Sequence, residues 1–180
     1  MDSTILREGI FALNTRRFGS VAEVMIKRLV ECGKAKNQFH DLYDDHEKKR
    51  IEVKFSRVLK AADTSVTVET ILKCVEEATS IYRLVACDDW KKTKFDCNIQ
   101  QIKRAEFDVL YYGLFFFDKI MIFKIHSQDI GASIFYSDRQ HKGNVGEGQF
   151  HINQDTLQIH IDKFLYNELD YDQLLDLLLK

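Results

Sequence analysis

Phe39-His40-Asp41-Leu42-Tyr43-Asp44-Asp45-His46-Glu47-Lys48-Lys49-Arg50-Ile51-Glu52-Val53-Lys54 reads as two short strands joined by a charged turn over 45–49. Ile51, Val53 and Phe55 alternate with Glu52, Lys54 and Ser56, a period of two that gives the second strand an apolar face and a polar one. Glu52 and Lys54 therefore share a face, and Asp41 on the preceding strand can come alongside them. An Asp, a Glu and a Lys converging there can hold Mg²⁺ beside a water molecule and a phosphate. The competing reading is a surface strand with an ordinary Glu–Lys pair, which contributes little.

Toward the N-terminus, a first helix is expected over 4–13, with a break at Arg16-Arg17-Phe18-Gly19. Ser20-Val21-Ala22-Glu23 reads as a capping box, with Val21, Val24, Met25, Leu29 and Val30 at helical spacing up to Gly33 as the C-cap. The cap is the favoured role of Glu23, and a place behind the metal is the lesser alternative. Toward the C-terminus, 67–78 is expected to be a helix with Val68, Ile71, Leu72 and Val75 inward, and 80–87 a short strand. A polar loop around Trp90 follows. The aromatic and β-branched runs 107–117 and 119–125 are expected as central strands covered on both faces, followed by a short helix at 127–130. Gly143, Gly146 and Gly148 make a flexible loop. Alternation over 149–153 and 156–161 predicts a hairpin, and Asp170 caps a last helix over 171–179. Neither a repeat nor a linker interrupts the chain. It reads as one α+β domain over 1–180 with an α/β-like core: a mixed central sheet flanked by helices, with a C-terminal β-hairpin.

The 180 residues suit one core, and a hydrophobic share of 45% excludes a disordered tail protein. The run 109–117 is too short to span a bilayer as a helix, and Met1-Asp2-Ser3-Thr4 lacks the layout of a signal peptide. A cytoplasmic location without a membrane partner is expected. Cys32, Cys74, Cys87 and Cys97 form no Cys-x-x-Cys pair, so mostly buried, reduced thiols are expected rather than zinc. A net charge of −2 gives no global basic signal for nucleic acid. Local positive charge gathers at Lys91, Lys92, Lys94, Lys103 and Arg104, and again at Arg139, His141 and Lys142. The six histidines lack a metalloprotease pattern, and Gly143–Gly148 lacks the setting of a phosphate loop.

The hairpin resembles that of the PD-(D/E)XK nuclease superfamily, and within it the small Type II restriction endonucleases of the PvuII-like branch. Asp41 stands at the first acid, Glu52-Val53-Lys54 at the second acid and lysine, and His40 where a proline is usual. Asp44 and Asp45 remain alternatives for the first acid, because the hairpin register is open. The resemblance runs in order from Ser20 to Ile130, through a preceding helix, Asn98-Ile99-Gln100-Gln101-Ile102-Lys103-Arg104 and two apolar strands. It implies a Mg²⁺ site, in which Mn²⁺ can substitute, held by Asp41, Glu52 and the Val53 carbonyl, with Lys54 beside the attacking water. It further implies site-specific cleavage of double-stranded DNA by a homodimer, leaving 5′-phosphate and 3′-hydroxyl ends, with a DNA methyltransferase as genetic partner. Arg57, Lys60, Lys103 and Arg104 are then expected at phosphates, with Gln100 and Gln101 close to the DNA. Arg139, Lys142 and Asn144 in the loop, with Gln149, His151 and Asn153 in the last hairpin, are expected to read bases. The apolar stripes of the first two helices are candidate dimer surfaces. Two alternatives remain: another nuclease of the superfamily acting in repair or on junctions, and a non-enzymatic α+β interaction module.

Overall fold

The computed structural model describes residues 2–35, 37–62, 64–78, 80–139 and 146–180. Asp2 caps α1 (Ser3–Ala12), its carboxylate accepting from the Ile5 N–H at 2.8 Å. Asn14 caps α2 (Thr15–Leu29), its Oδ1 accepting from the Arg17 N–H at 3.0 Å. The expected break at 16–19 and the box at 20–23 therefore do not form. Asn14 satisfies the free amides six residues before Ser20, Phe18 becomes a buried helix residue, and the Ser20 hydroxyl donates to the Arg16 carbonyl within the helix. The chain leaves α2 through Glu31, at φ 53°, and not through Gly33, which belongs to β1 (Gly33–Lys34).

β2 (Leu42–Asp44) and β3 (Lys49–Arg57) form the expected hairpin, with Leu42 opposite Ile51 and Asp44 opposite Lys49. The chain then crosses over through α3 (Ile71–Glu77), 3-10 turns at Ser80–Arg83 and Cys87–Asp89, and β4 (Asp96–Ile102). It returns as β5 (Val109–Phe115), parallel to β3, and β6 (Ile120–His126), antiparallel to β5. A clamp fixes the parallel register. Arg50 Nε and Nη2 donate to the two carboxylate oxygens of Asp108 at 3.1 and 2.9 Å, and the Arg50 N–H adds a third bond at 2.8 Å. The hydrogen bonds from Arg50 hold Asp108 down at about 2. β7 (Gly148–Asn153), α4 (Leu157–Phe164), β8 (Leu165–Leu169) and α5 (Tyr171–Leu179) complete the chain, with Asp170 capping α5 as expected.

The fold is α+β, with a mixed six-stranded sheet in the order β1-β2-β3-β5-β6-β8 and a separate two-stranded ribbon, β4–β7. Alternation on β5 divides the interior. Val109, Tyr111 and Phe115 face α1, α2 and α5, while Leu110, Tyr112 and Leu114 face α4 and the ribbon. On β3, Ile51 and Val53 join the first core, so Glu52 and Lys54 turn toward the ribbon. Gly113 lies where a Cβ would stand 2.4 Å from the Phe55 ring, so its bare backbone lets that ring cross β5.

Three expected elements are corrected. Residues 80–87 form no strand, only the 3-10 turn and an isolated bridge from Leu84 to Leu59. α3 starts only at Ile71, turns Ile71, Leu72 and Val75 outward and buries none of its residues, and Val68 is exposed in the turn before it. The C-terminal hairpin is absent, because 157–164 is helical and β7 pairs with β4 instead. Leu157, His160, Ile161 and Phe164 follow helical spacing into the core as closely as Leu157, Ile159 and Ile161 follow strand spacing. His160 is fully buried with its Nδ1 2.8 Å from the Tyr112 hydroxyl, and burial pulls it down to about 4.

All four cysteines are free, and Cys32, Cys87 and Cys97 are buried. Burial pushes the Cys87 thiol up to about 11 and that of Cys97 to about 12, which leaves them unreactive. Among the described residues no helix is long and apolar enough to cross a membrane.

Candidate active site

β3 places Glu52 and Lys54 two residues apart on its ribbon-facing side, with the Lys54 ammonium donating to Glu52 Oε1. Asp41 stands immediately before β2. Its own N–H donates to the Ile51 carbonyl at 3.1 Å, and its Oδ2 accepts from the Val53 N–H at 2.9 Å. These bonds tie the Asp41 side chain to the strand that carries Glu52 and Lys54, and bring its Oδ2 within 3.8 Å of Lys54 Nζ. The N–H and C=O of one strand residue leave on the same side, so the Val53 carbonyl also points toward the Asp41 side. Of the three acids considered for the first position, Asp41 is the one that converges with Lys54. Asp44 Oδ1 instead holds the turn, accepting from the His46 and Glu47 N–H groups at 2.9 Å each.

These side chains open into a cavity of about 210 Å³, roofed by the end of the ribbon and its flanks. Four carboxylates line it, Asp41, Glu52, Glu106 and Glu147, against two ammonium groups, Lys54 and Lys103. Glu52 is only 9% exposed, and burial pushes it up to about 7 although the Lys54 charge pulls it back. Burial works against the Lys54 ammonium, but Glu52 and Asp41 together outweigh it and raise its pKa. Glu23, half-buried on α2, belongs to the same electrostatic group. Burial raises it first and the Asp41 charge second, while Lys54 and Lys34 pull it down. The sequence reading favoured a cap for Glu23. Glu23 stands next to Ala22 and three residues before Ile26, both buried on α2, and so borders the core. His40, Glu106 and Glu147 were not singled out as site residues. His40 is buried at the cavity wall, with Nδ1 unpaired.

The site offers two side-chain carboxylates and one carbonyl as oxygen donors. Among the described residues no group of three or more His, Cys, Asp or Glu side chains forms a metal cage. That donor set suits Mg²⁺, which binds through one or two carboxylates and completes its shell with water and phosphate. The Lys54 ammonium already sits between the two acids, where a cation is favoured.

The residues expected near DNA divide into groups. Gln101, at φ 60° in a bulge between Ile99 and Ile102, and Lys103 line the cavity. Lys103 lies 3.8 Å from Glu106 and 3.7 Å from Glu147. Gln100, Gln149 and His151 lie on the outward face of the ribbon with Asn98, which the sequence reading had not singled out as a reader. Asn98 donates to Gln149 at 3.0 Å, and His151 Nδ1 meets Asp96 at 2.9 Å. Arg139 is exposed before the loop; Lys142 and Asn144 lie outside the described residues.

The rest are committed elsewhere. Arg57 donates to the Phe11 and Leu13 carbonyls at 2.7 Å each and stacks on Phe18, so it ties α1 to the sheet and does not join the cavity. Arg104 donates to the Ile130 carbonyl at 2.8 Å and stacks over Tyr136. Lys60 lies beyond the far end of β3, on a different groove. Asn153 Oδ1 accepts from the Asp155 and Thr156 N–H groups at 3.0 and 3.1 Å, holding the turn into α4 and leaving no free acceptor for a base. No protein-family model matches the chain, and no curated protein or solved structure matches it.

Proposed function

We propose that this chain is a Mg²⁺-dependent, sequence-specific endonuclease of double-stranded DNA, acting as a homodimer in the manner of the Type II restriction enzymes of the PD-(D/E)XK superfamily. The observation that carries the reading is the convergence of Asp41, Glu52 and Lys54 at one cavity. A cavity with four carboxylates and two lysines repels a phosphodiester unless a cation offsets the charge. Asp41, Glu52 and the Val53 carbonyl are the groups that would hold Mg²⁺. The bound ion supplies Lewis-acid activation of the phosphate and of water. Lys54 orients the attacking water and balances charge at the phosphate. Water adds to phosphorus, the P–O3′ bond breaks, and the products carry a 5′-phosphate and a 3′-hydroxyl. The ribbon contributes the contact surface. A two-stranded ribbon fits the major groove, and the Asn98–Gln149 amides and His151 offer donors and acceptors to base edges.

The test is incubation of the purified chain with phage DNA and Mg²⁺, beside Glu52→Ala and Lys54→Ala. Discrete fragments are expected from the wild type and none from either variant. Undiminished cleavage by Glu52→Ala removes the proposed site, and cleavage confined to branched DNA moves the reading to a junction nuclease.

A further inference from the structure

The constellation of Asp41, Glu52 and Lys54 makes no use of His40, although His40 lines the same cavity. The residue is 8% exposed, and its Nδ1 is enclosed without a hydrogen-bond partner. An enclosed N–H left without an acceptor is rarer than an unpaired acceptor, so the ring proton belongs on Nε2. With Nδ1 closed off, Nε2 is also the ring nitrogen that a ligand in the cavity can reach. The backbone is pinned on both sides of the residue. The Phe39 N–H donates to Asn37 Oδ1 at 3.0 Å, and the Asp41 N–H donates to the Ile51 carbonyl at 3.1 Å. The His40 ring lies beside that of Tyr43, with centroids 6.2 Å apart. A side chain held in this way is preorganised for a ligand.

We propose that the His40 Nε2–H donates to a non-bridging oxygen of the scissile phosphate, which makes His40 a further catalytic residue beside Asp41 and Lys54. The inference takes its substrate from the nuclease reading and adds a contact to it. The charge in the cavity points to this role. Its two ammonium groups are already shared among its four carboxylates. Lys54 donates to Glu52 and lies 3.8 Å from Asp41, and Lys103 lies 3.8 Å from Glu106 and 3.7 Å from Glu147. Among the described residues His40 forms no ion pair, so its N–H goes to a phosphate oxygen without breaking one. The bond moves no proton. Its acceptor stays on phosphorus, and the bond strengthens as negative charge builds on that oxygen in the transition state. The proline usual at this place in the resembled hairpin has no side-chain donor, so the contact belongs to this chain.

Two measurements test it, and the first needs no turnover. The full chain with isotope-labelled histidine rings is titrated with thymidine 5′-monophosphate in Mg²⁺ and followed by nuclear magnetic resonance, with His40→Gln identifying the signals of position 40. The Nε2–H tautomer is expected, with its Nε2 signal moving as the nucleotide binds. The second is single-turnover cleavage of phage DNA. His40→Phe keeps a ring without the donor, and should cut about 10- to 100-fold more slowly, the worth of one hydrogen bond to a charged group. Its metal-free affinity for DNA should stay within about threefold. His40→Gln, whose amide carries an N–H at the reach of Nε2, should recover most of the rate. Equal losses in both variants would assign His40 to packing and overturn the inference, as would a nucleotide that leaves the His40 signals in place. A His40 signal that moves in a chain cutting no DNA keeps the phosphate contact and removes the nuclease reading. Equal cleavage by wild type and His40→Phe does the reverse.

Discussion

Glu52 and Lys54 in the cavity, and Asn98 and His151 on the ribbon, occupy the same kind of position: polar residues on one face of a strand beside a core. Their surroundings separate them. Glu52 and Lys54 lie under the ribbon's end, where burial and neighbouring charge move each group's protonation. The ribbon residues are exposed or half-exposed and pair with Gln149 and Asp96. A buried charge tolerates little change of partner, whereas an exposed hydrogen bond can be exchanged for one to a ligand at small net cost. The first setting suits chemistry and the second suits contact.

The widest separation between the two regions is expected in cleavage itself. Lys54→Ala should lower the rate at saturating DNA by about 10³-fold, the scale of a lost electrostatic group at the reacting phosphate. Gln149→Ala should leave that rate within about threefold on DNA it still binds. Single-turnover kinetics checks both, and comparable losses in the two variants would erase the distinction.

Next in size is a pH effect confined to the cavity. The Glu52 carboxyl has an ordinary value of 4.5 and is raised to about 7 in the folded chain. The folded state therefore binds the extra proton between those values, and stability present below pH 4.5 is lost as pH rises through 7. Lys54, also raised, stays protonated throughout and adds no slope. Metal-free protein should lose on the order of 2–3 kcal/mol over this range from Glu52 alone. Urea denaturation of wild type and Glu52→Gln at pH 5 and pH 7.5 measures the difference between their slopes, and Mg²⁺ should flatten the wild-type slope. Identical slopes would mean that Glu52 titrates normally.

A smaller effect is expected from the amide pair on the ribbon. Asn98→Ala and Gln149→Ala should change discrimination between DNA sequences by about 10- to 100-fold, the worth of one well-made base contact. An equal loss on every sequence would assign the pair to the backbone instead. The smallest effect belongs to Asp96. Its exposed pairing with His151 should contribute less than about 1 kcal/mol to folding, so Asp96→Ala should barely move the thermal midpoint.

Legibility followed the same division. The alternation of Ile51, Val53 and Phe55 told which way Glu52 and Lys54 turn, because strand geometry alone settles it. The central strands were readable from their unbroken apolar character, and α5 from Asp170. The α2 start was misplaced because Ser20 and Glu23 have the right spacing for a cap while Asn14, five residues before the expected break ends, reaches the amides first. The segment 157–164 was misread because its apolar residues fit both periods, and the histidine at position 160 hid the helical one. α3 was read as a helix but turned inside out, since periodicity identifies a stripe and not what covers it. Arg57 looked available for DNA because its partners, the distant Phe11 and Leu13 carbonyls, are set by the fold, whereas Asn153 is taken up by a local turn to the 155 and 156 amides.

By itself the sequence determined the α+β class, the two faces of β3 and the existence of the 39–57 hairpin. These depend on backbone geometry over a few residues. The tertiary structure alone decided which acid meets Lys54, that β4 and not 156–161 pairs with β7, and that burial beneath the ribbon raises Glu52. Such outcomes depend on contacts between segments tens of residues apart, and a local pattern has no information about what will lie across from it.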